Sequence, residues 1–328
     1  MRLAMANAST VRLSTPPNPW VGCVVVANDG GVFQGATSEP GGPHAEIEAL
    51  RRAEGAATGA TLYTTLEPCS HTGRTPPCVD AIIDAGVQRV VIGIEDPDDQ
   101  VAGRGASRLR DANIDVTSGV LTDDIARQLA PYLTHRRTGR PYVVLKLALT
   151  LDGYIAAPDG SSAWITGAAA RADAHRLRAE SDAVVVGAGT VRADDPLLTV
   201  RNFTPANPVP AAGLDPLRVV LGRVPPGARV APAFEHQGEI TALLDELGGR
   251  GVLQLMVEGG ADVAGQFHRA GLVDEYVLYI APAFMGGDSG RRAFAGEGAP
   301  TMAELTRGRF VSVDRLGDDL RIVVVVAR

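Results

Sequence analysis

Three positions constrain this chain more than any other feature of its sequence: His44, in the triplet His44-Ala45-Glu46, and the cysteines Cys69 and Cys78. One imidazole and two thiolates suit zinc, which takes four ligands in a tetrahedron. Three protein ligands leave the fourth position to water, the arrangement of a catalytic rather than a structural site. The fold must therefore bring three separate elements to one point. Helical spacing over 44–54 puts His44 at the start of a helix. A strand over 61–66 ends just before Pro68-Cys69, and a helix over 78–85, closed by Gly86, begins at Cys78. Glu46 is two residues from His44 and is not itself a ligand. It is placed to take a proton from water and pass it to a departing amine.

The pattern His-x-Glu followed by two cysteines is that of zinc deaminases, which act on an amino-bearing ring carbon. Those enzymes usually carry the cysteines as Cys-x-x-Cys. Here Ser70-His71-Thr72-Gly73-Arg74-Thr75-Pro76-Pro77 intervenes, a loop whose His71 and Arg74 can reach a phosphate or a ring. The formal charge of −7 speaks against a protein that grips nucleic acid through phosphates and favours a small-molecule substrate. Three cysteines are too few, and odd in number, for a disulfide framework, so metal binding or plain burial is expected, with Cys23 a core residue. No signal peptide is read in residues 1–13, the helix there looks short at residues 1–8, and runs such as 322–327 are far too short to span a bilayer. A cytoplasmic protein with no membrane partner is expected.

A length of 328 residues favours two domains. Strands at 21–27, 61–66, 89–94 and 115–120 alternate with helices at 44–54, 78–85 and 106–112. Asp96-Pro97-Asp98-Asp99 reads as a turn, and 122–136 as one amphipathic helix. The basic stretch His135-Arg136-Arg137-Thr138-Gly139-Arg140-Pro141 marks a boundary, giving domains 1–139 and 140–328. Beyond it, strands are expected at 142–149, 182–186, 217–221, 253–257, 275–280 and 321–327, and helices at 168–180 and 261–270. Residues 205–216 form a proline-rich loop, and 224–250 reads as a short loop rich in Pro and Gly. Both halves are α/β. Two glycine turns, Gly187-Ala188-Gly189-Thr190 and Glu258-Gly259-Gly260-Ala261, each join a strand to a helix whose free N–H groups can bind phosphate. Neither is a full dinucleotide fingerprint.

Together these motifs resemble the bacterial bifunctional riboflavin biosynthesis deaminase/reductase family. The resemblance is carried by Pro17-Asn18-Pro19-Trp20-Val21-Gly22-Cys23, His44-Ala45-Glu46, Thr65-Leu66-Glu67-Pro68-Cys69-Ser70-His71 and Gly73-Arg74-Thr75-Pro76-Pro77-Cys78. It continues through Lys146-Leu147-Ala148-Leu149-Thr150-Leu151-Asp152-Gly153, Ser161-Ser162-Ala163-Trp164-Ile165-Thr166 and Gly189-Thr190-Val191-Arg192-Ala193-Asp194-Asp195-Pro196, and so covers nearly the whole chain. It implies a cytidine-deaminase-like α/β/α domain followed by a dihydrofolate-reductase-like α/β domain. It also implies deamination of a diaminopyrimidinone ribosylamine 5′-phosphate, then NADPH-dependent reduction of ribosyl to ribityl.

By the resemblance, His44, Cys69 and Cys78 bind zinc and Glu46 moves the proton. Asn18 contacts the pyrimidine, with His71 and Arg74 near the substrate. Ala148, Trp164, Thr190 and Asp194 line the NADPH site, with Gly260, Ala261, Asp262, Val263, Ala264, Gly265 and Gln266 around its phosphates. Lys146, Ser162, Arg178, Leu198, Arg201 and Glu258 hold the reductase substrate. A homo-oligomer, dimer or tetramer, is expected. The chain departs from the family pattern at Thr37, at Asp98 and at Gly222-Arg223, where Arg223 is a candidate contact for the 2′-phosphate of NADPH. The alternative reading is a nucleoside or nucleobase deaminase joined to a non-catalytic nucleotide-binding domain.

Overall fold

The structure is a computed structural model, and it describes all residues except 73–75, 99–100, 206, 208–212 and 327–328. The chain divides into two compact units, Met1–Gly139 with Pro205–Gly213, and Arg140–Thr204 with Leu214–Arg328.

The first unit is built on a sheet of order β2-β1-β3-β4-β5, from β1 (Gly22–Val26), β2 (Val32–Ala36), β3 (Thr61–Leu66), β4 (Arg89–Ile94) and β5 (Asp115–Ser118). β1 is antiparallel to both neighbours, whereas β3, β4 and β5 run parallel. Its helices are α1 (Arg2–Thr10), α2 (Ala45–Ala53), α3 (Cys78–Asp84), α4 (Arg104–Asp111), α5 (Thr122–Gln128) and α6 (Ala130–Thr138). Two glycines set how closely helices approach the sheet. A Cβ at Gly22 would lie 1.8 Å from the Ala4 carbonyl oxygen, and one at Gly35 would lie 2.2 Å from that of Ala45. Gly35 pairs with Cys23, the neighbour of Gly22, so the two glycines face opposite sides of the sheet and seat α1 and α2 on opposite faces.

Two expectations change here. The single helix over 122–136 is two helices, broken at Leu129 (φ −97°, ψ 11°). Pro131 falls in the first turn of α6, where its missing N–H is tolerated; inside a continuous helix its ring would clash with the preceding turn. β2 had no clear sequence signal because it is a half-exposed edge strand ending in Gln34-Gly35-Ala36.

The second unit has a sheet of order β10-β9-β8-β11-β6-β12-β15-β14. Its strands are β6 (Tyr142–Thr150), β8 (Ala183–Gly187), β9 (Leu217–Leu221), β10 (Phe234–His236), β11 (Gln254–Val257), β12 (Glu275–Ala281), β14 (Gly308–Leu316) and β15 (Asp319–Val326). The strands from β10 to β12 are parallel, and the β14–β15 hairpin adds an antiparallel edge. A separate ribbon pairs β7 (Tyr154–Ala156) with β13 (Arg291–Arg292). The helices are α7 (Ala168–Ala179), α8 (Ala188–Asp194), α9 (Ile240–Gly249) and α10 (Ala261–Arg269).

Val143, Leu145, Leu147 and Leu149 of β6 join Leu243 and Leu247 of α9 and Phe267 of α10 in one buried core. Strand alternation then turns Lys146 and Ala148 to the opposite face. Residues 224–250 are therefore not a short loop: they contain β10 and α9. Leu243, Leu244 and Leu247 carried the helical spacing, and the glycines and prolines that suggested a loop lie at the ends of these elements. Among the described residues no helix is long and apolar enough to cross a membrane.

Candidate active sites

In the first unit the three proposed ligands converge at the carboxyl end of β3. His44 is extended (φ −74°, ψ 165°) and opens α2, Cys69 follows β3, and Cys78 is the first residue of α3. His44 Nδ1 lies 3.2 Å from Cys78 Sγ and 3.6 Å from Cys69 Sγ, and all three donor atoms fall within 4.8 Å of one another. Ligand atoms at zinc–nitrogen and zinc–sulfur bond lengths in a tetrahedron stand about 3.6 Å apart. The donor set thus fits zinc in kind and in spacing. The Cys78 backbone N–H donates to Cys69 Sγ at 3.3 Å. A side-chain hydrogen bond shared with Cys78 pulls the Cys69 thiol well below its ordinary pKa and pushes Cys78 up.

Glu46 is 3% exposed on the first turn of α2, and burial pushes its carboxyl up to about 7 against the pull of His44. Cys23 is fully buried on β1. Asn18 is half-buried in a turn, its backbone N–H donating to the Thr15 carbonyl at 2.8 Å. His71 is half-buried too, and its buried Nδ1 has no hydrogen-bond partner among the described residues. Arg74 lies outside the described residues, as does Asp99 of the predicted turn. Thr37 is buried, and its hydroxyl accepts from the Val21 N–H at 3.1 Å, so this departure closes the end of the β1–β2 pairing. Asp98 makes an ion pair with Arg136 at 3.8 Å.

Glu67 stands in the sequence within the motif at 65–71, and the structure gives it a role of its own. It is 4% exposed, and its carboxylate accepts from the N–H groups of Asp96 (3.3 Å), Gly103 (2.9 Å) and Ala106 (3.0 Å). It thereby ties the strand leading to Cys69 to the start of α4. The sequence signal was an acidic residue between the end of the strand at Leu66 and Pro68.

In the second unit a cavity of about 580 Å³ opens on the face of the sheet opposite the core cluster. Of the expected cofactor residues, Ala148, Trp164, Thr190, Asp194 and Gly260 line it. So do all six expected substrate residues, Lys146, Ser162, Arg178, Leu198, Arg201 and Glu258. Trp164 is 77% exposed and carries the Arg171 guanidinium 4.7 Å above its ring. The two glycine turns meet here: the Gly260 N–H donates to Thr190 Oγ1 at 3.2 Å. A Cβ on Gly259 would lie 2.5 Å from Val263 Cβ, so glycine is required for this turn to pack on α10.

Glu258 sits between two cations, 3.2 Å from Lys146 Nζ and 2.7 Å from an Arg178 nitrogen. Burial pushes its carboxyl up, but Lys146 and Arg178 outweigh this and hold it at about 2. Four of the five N–H groups of Arg178 are engaged, by Glu258, the Thr199 carbonyl and His175. The capacity of Arg178 to fork onto a substrate phosphate is therefore largely spoken for. The Arg201 guanidinium has no ion-pair or hydrogen-bond partner among the described residues.

The remaining expected cofactor residues are not brought to the cavity. Ala261, Val263, Ala264 and Gly265 are buried along α10, Asp262 and Gln266 are exposed, and Arg223 is exposed outside the lining. The helix begins at Ala261, and Gly259 and Gly260 in the turn before it line the cavity.

Residues 1–94 match the family model of the cytidine and deoxycytidylate deaminase zinc-binding region, and residues 141–322 match that of the RibD C-terminal domain. The chain is 42% identical to the riboflavin biosynthesis protein RibD of Mycobacterium tuberculosis, over 99% of this chain and 96% of that protein. It is 40% identical to that of Escherichia coli, over 100% and 98%. The chain belongs to the RibD family. Among solved structures, Acinetobacter baumannii RibD superposes with a TM-score of 0.91 at 37% identity, covering 100% of this chain and 98% of that one. A Thermotoga maritima diaminohydroxyphosphoribosylaminopyrimidine deaminase/5-amino-6-(5-phosphoribosylamino)uracil reductase superposes at 0.84 and 31%, covering 100% and 97%.

As a RibD family member the chain is a bifunctional enzyme of riboflavin biosynthesis, a hydrolytic deaminase and a reductase, using zinc and NADPH. Its amino-terminal fold is deaminase-like and its carboxy-terminal fold is dihydrofolate-reductase-like.

Proposed function

We propose that the first unit deaminates diaminohydroxyphosphoribosylaminopyrimidine and that the second reduces the product, 5-amino-6-(5-phosphoribosylamino)uracil, from a ribosyl to a ribityl chain. The observation that carries the reading is the His44, Cys69 and Cys78 tripod closed on one side by a buried Glu46. When bound there, zinc supplies a Lewis acid that makes water a usable nucleophile near neutral pH. Glu46 takes a proton from the attacking water and delivers it to the exocyclic nitrogen. A ring carbon–oxygen bond forms, the carbon–nitrogen bond breaks and ammonia leaves. Asn18 and His71 contact the heterocycle, a role supported by His71 Nδ1 having no hydrogen-bond partner among the described residues. Arg74 is assigned to the phosphate end.

In the second unit NADPH supplies the hydride that reduces the ribosyl carbon bonded to nitrogen. Ala148, Trp164, Thr190, Asp194 and Gly260 hold the dinucleotide, with Trp164 offering a flat face. Arg201 takes the substrate phosphate, and Arg178 adds its one remaining N–H and its charge. Lys146 and Glu258, an ion pair on the cavity wall, orient the pyrimidine, with Ser162 and Leu198 beside them. A cytoplasmic homo-oligomer completes the reading. The test is a coupled assay with metal analysis on wild type and Glu46→Ala. Zinc stays near one per chain while ammonia release disappears and reduction of supplied product continues. Loss of zinc in that variant would reassign Glu46 as a ligand.

A further inference from the structure

Three non-glycine residues in one short loop of the cavity adopt left-handed backbone angles: Asp195 (φ 40°), Leu198 (φ 54°) and Asn202 (φ 53°). Aspartate and asparagine adopt such angles readily, but a leucine keeps them only where its surroundings hold it. The loop carries Leu198 and Arg201 into the cavity, so what holds it sets where the Arg201 guanidinium stands. Its backbone is gripped at consecutive residues. The Thr199 carbonyl accepts from Arg178 at 2.6 Å, the Val200 N–H donates to Asp215 at 2.7 Å, and the Arg201 N–H donates to His175 Nδ1 at 3.1 Å.

We propose that His175, on α7 beside Arg178, is a positioning residue that fixes the phosphate-binding Arg201 by accepting, through an unprotonated Nδ1, from both the Arg201 backbone and the Arg178 side chain. The inference rests on the reading of Arg201 as the phosphate contact. Both partners of Nδ1 are donors only, a backbone N–H and a guanidinium N–H at 3.1 Å, so Nδ1 must carry the lone pair and the proton must sit on Nε2. Burial comes first in lowering the His175 pKa, followed by Arg178 on α7 and Arg201 on the loop; Glu258 after β11, itself paired with Lys146 of β6, and a hydrogen bond with the Thr199 backbone oppose them, and the lowering influences prevail. Protonation would set a third donor against two and release the backbone at Arg201. The loop then has its grips at Thr199 and Val200 but none at the residue that meets the phosphate.

The experiment measures reductase KM for 5-amino-6-(5-phosphoribosylamino)uracil, kcat and the KM for NADPH. The proteins are wild type, His175→Ala, His175→Gln and Arg201→Ala, from about pH 4.5 to about pH 8, so that the window extends well below the ordinary histidine range. Losing a charge-linked acceptor predicts about a tenfold rise in substrate KM for His175→Ala, with kcat within about twofold. NADPH KM stays unchanged, showing the unit intact. A glutamine oxygen accepts at every pH, so His175→Gln restores KM to within about threefold. It also lacks the acid rise: the ratio of wild-type to His175→Gln KM climbs as pH falls, and titration of the substrate phosphate cancels in that ratio. If Arg201→Ala raises KM and His175→Ala does not, or if the ratio is flat with pH, the positioning role is wrong while the phosphate reading stands. If Arg201→Ala leaves KM unchanged, the phosphate reading fails first and takes this inference with it.

Discussion

Glu67→Ala removes an acceptor that three buried or half-buried N–H groups share, those of Asp96, Gly103 and Ala106. Each hydrogen bond to a charged group contributes about 1.5–3 kcal/mol, and an orphaned buried donor costs about 1–3 kcal/mol. The 3.3 Å bond from Asp96 is long and contributes least. Counting mainly the bonds at 2.9 and 3.0 Å, the substitution should lower the stability of the first unit by about 4 kcal/mol. Glu67→Gln keeps one accepting oxygen but turns an NH₂ toward the other donors, and should cost about half as much. The assay is urea unfolding followed by tryptophan fluorescence. Trp20, in the first unit, is 1% exposed, whereas Trp164, in the second, is 77% exposed, so the spectral shift on unfolding comes mainly from Trp20. With a slope near 2 kcal/mol per molar urea, the Glu67→Ala midpoint falls by about 2 M. A midpoint within about 0.3 M of wild type would show that Glu67 does not organise this end of the sheet.

Four other outcomes follow from the geometry. Cys78→Ala should abolish stoichiometric zinc and ammonia release, measured by metal analysis and ammonia assay, and leave reduction of supplied substrate intact. Glu46→Gln should keep zinc and lower deaminase kcat by about 10²-fold or more, read under saturating substrate. Gly259→Ala forces a Cβ onto Val263 and should destabilise the second unit by about 2 kcal/mol, read by thermal unfolding. Glu258, held at about 2, lies below its unfolded value, so the stability it contributes is complete above the ordinary carboxylate range and disappears as pH falls toward about 2. Acid titration of the second unit should show about 3 kcal/mol of such loss in wild type and a flatter curve in Glu258→Gln.

The metal tripod was legible from sequence because its chemistry needs few residue types in fixed order, and each ligand abuts an element with a strong local signal. The strands at 61–66 and 89–94 are observed as Thr61–Leu66 and Arg89–Ile94 because their apolar, β-branched runs are bounded by turn residues. Signals failed where an element is half-exposed or polar. β2 and β14 lie at sheet edges and lack a buried alternation, and α9 was masked by flanking glycines and prolines. In the cavity, side chains near strand ends were readable as motif positions. The lone pair of His175, the saturation of Arg178 and the burial of Val263 were not, because each is decided by contacts between residues far apart in sequence.

The three zinc ligands also differ in how they are recruited. Cys69 and Cys78 are nine positions apart, whereas His44 is 25 from the nearer cysteine. In the unfolded chain the cysteine pair closes the shorter loop, and recruiting His44 across the longer one costs about 1 kcal/mol more in loop entropy, whereas in the folded unit α2, seated over Gly35, holds the imidazole in place. Metal held by the cysteines alone stabilises both folded and unfolded chains, and only the affinity added by His44 drives folding. Zinc in excess would therefore stabilise the first unit less than its full affinity suggests, and much of the discrimination between folded and unfolded chain passes through a single imidazole.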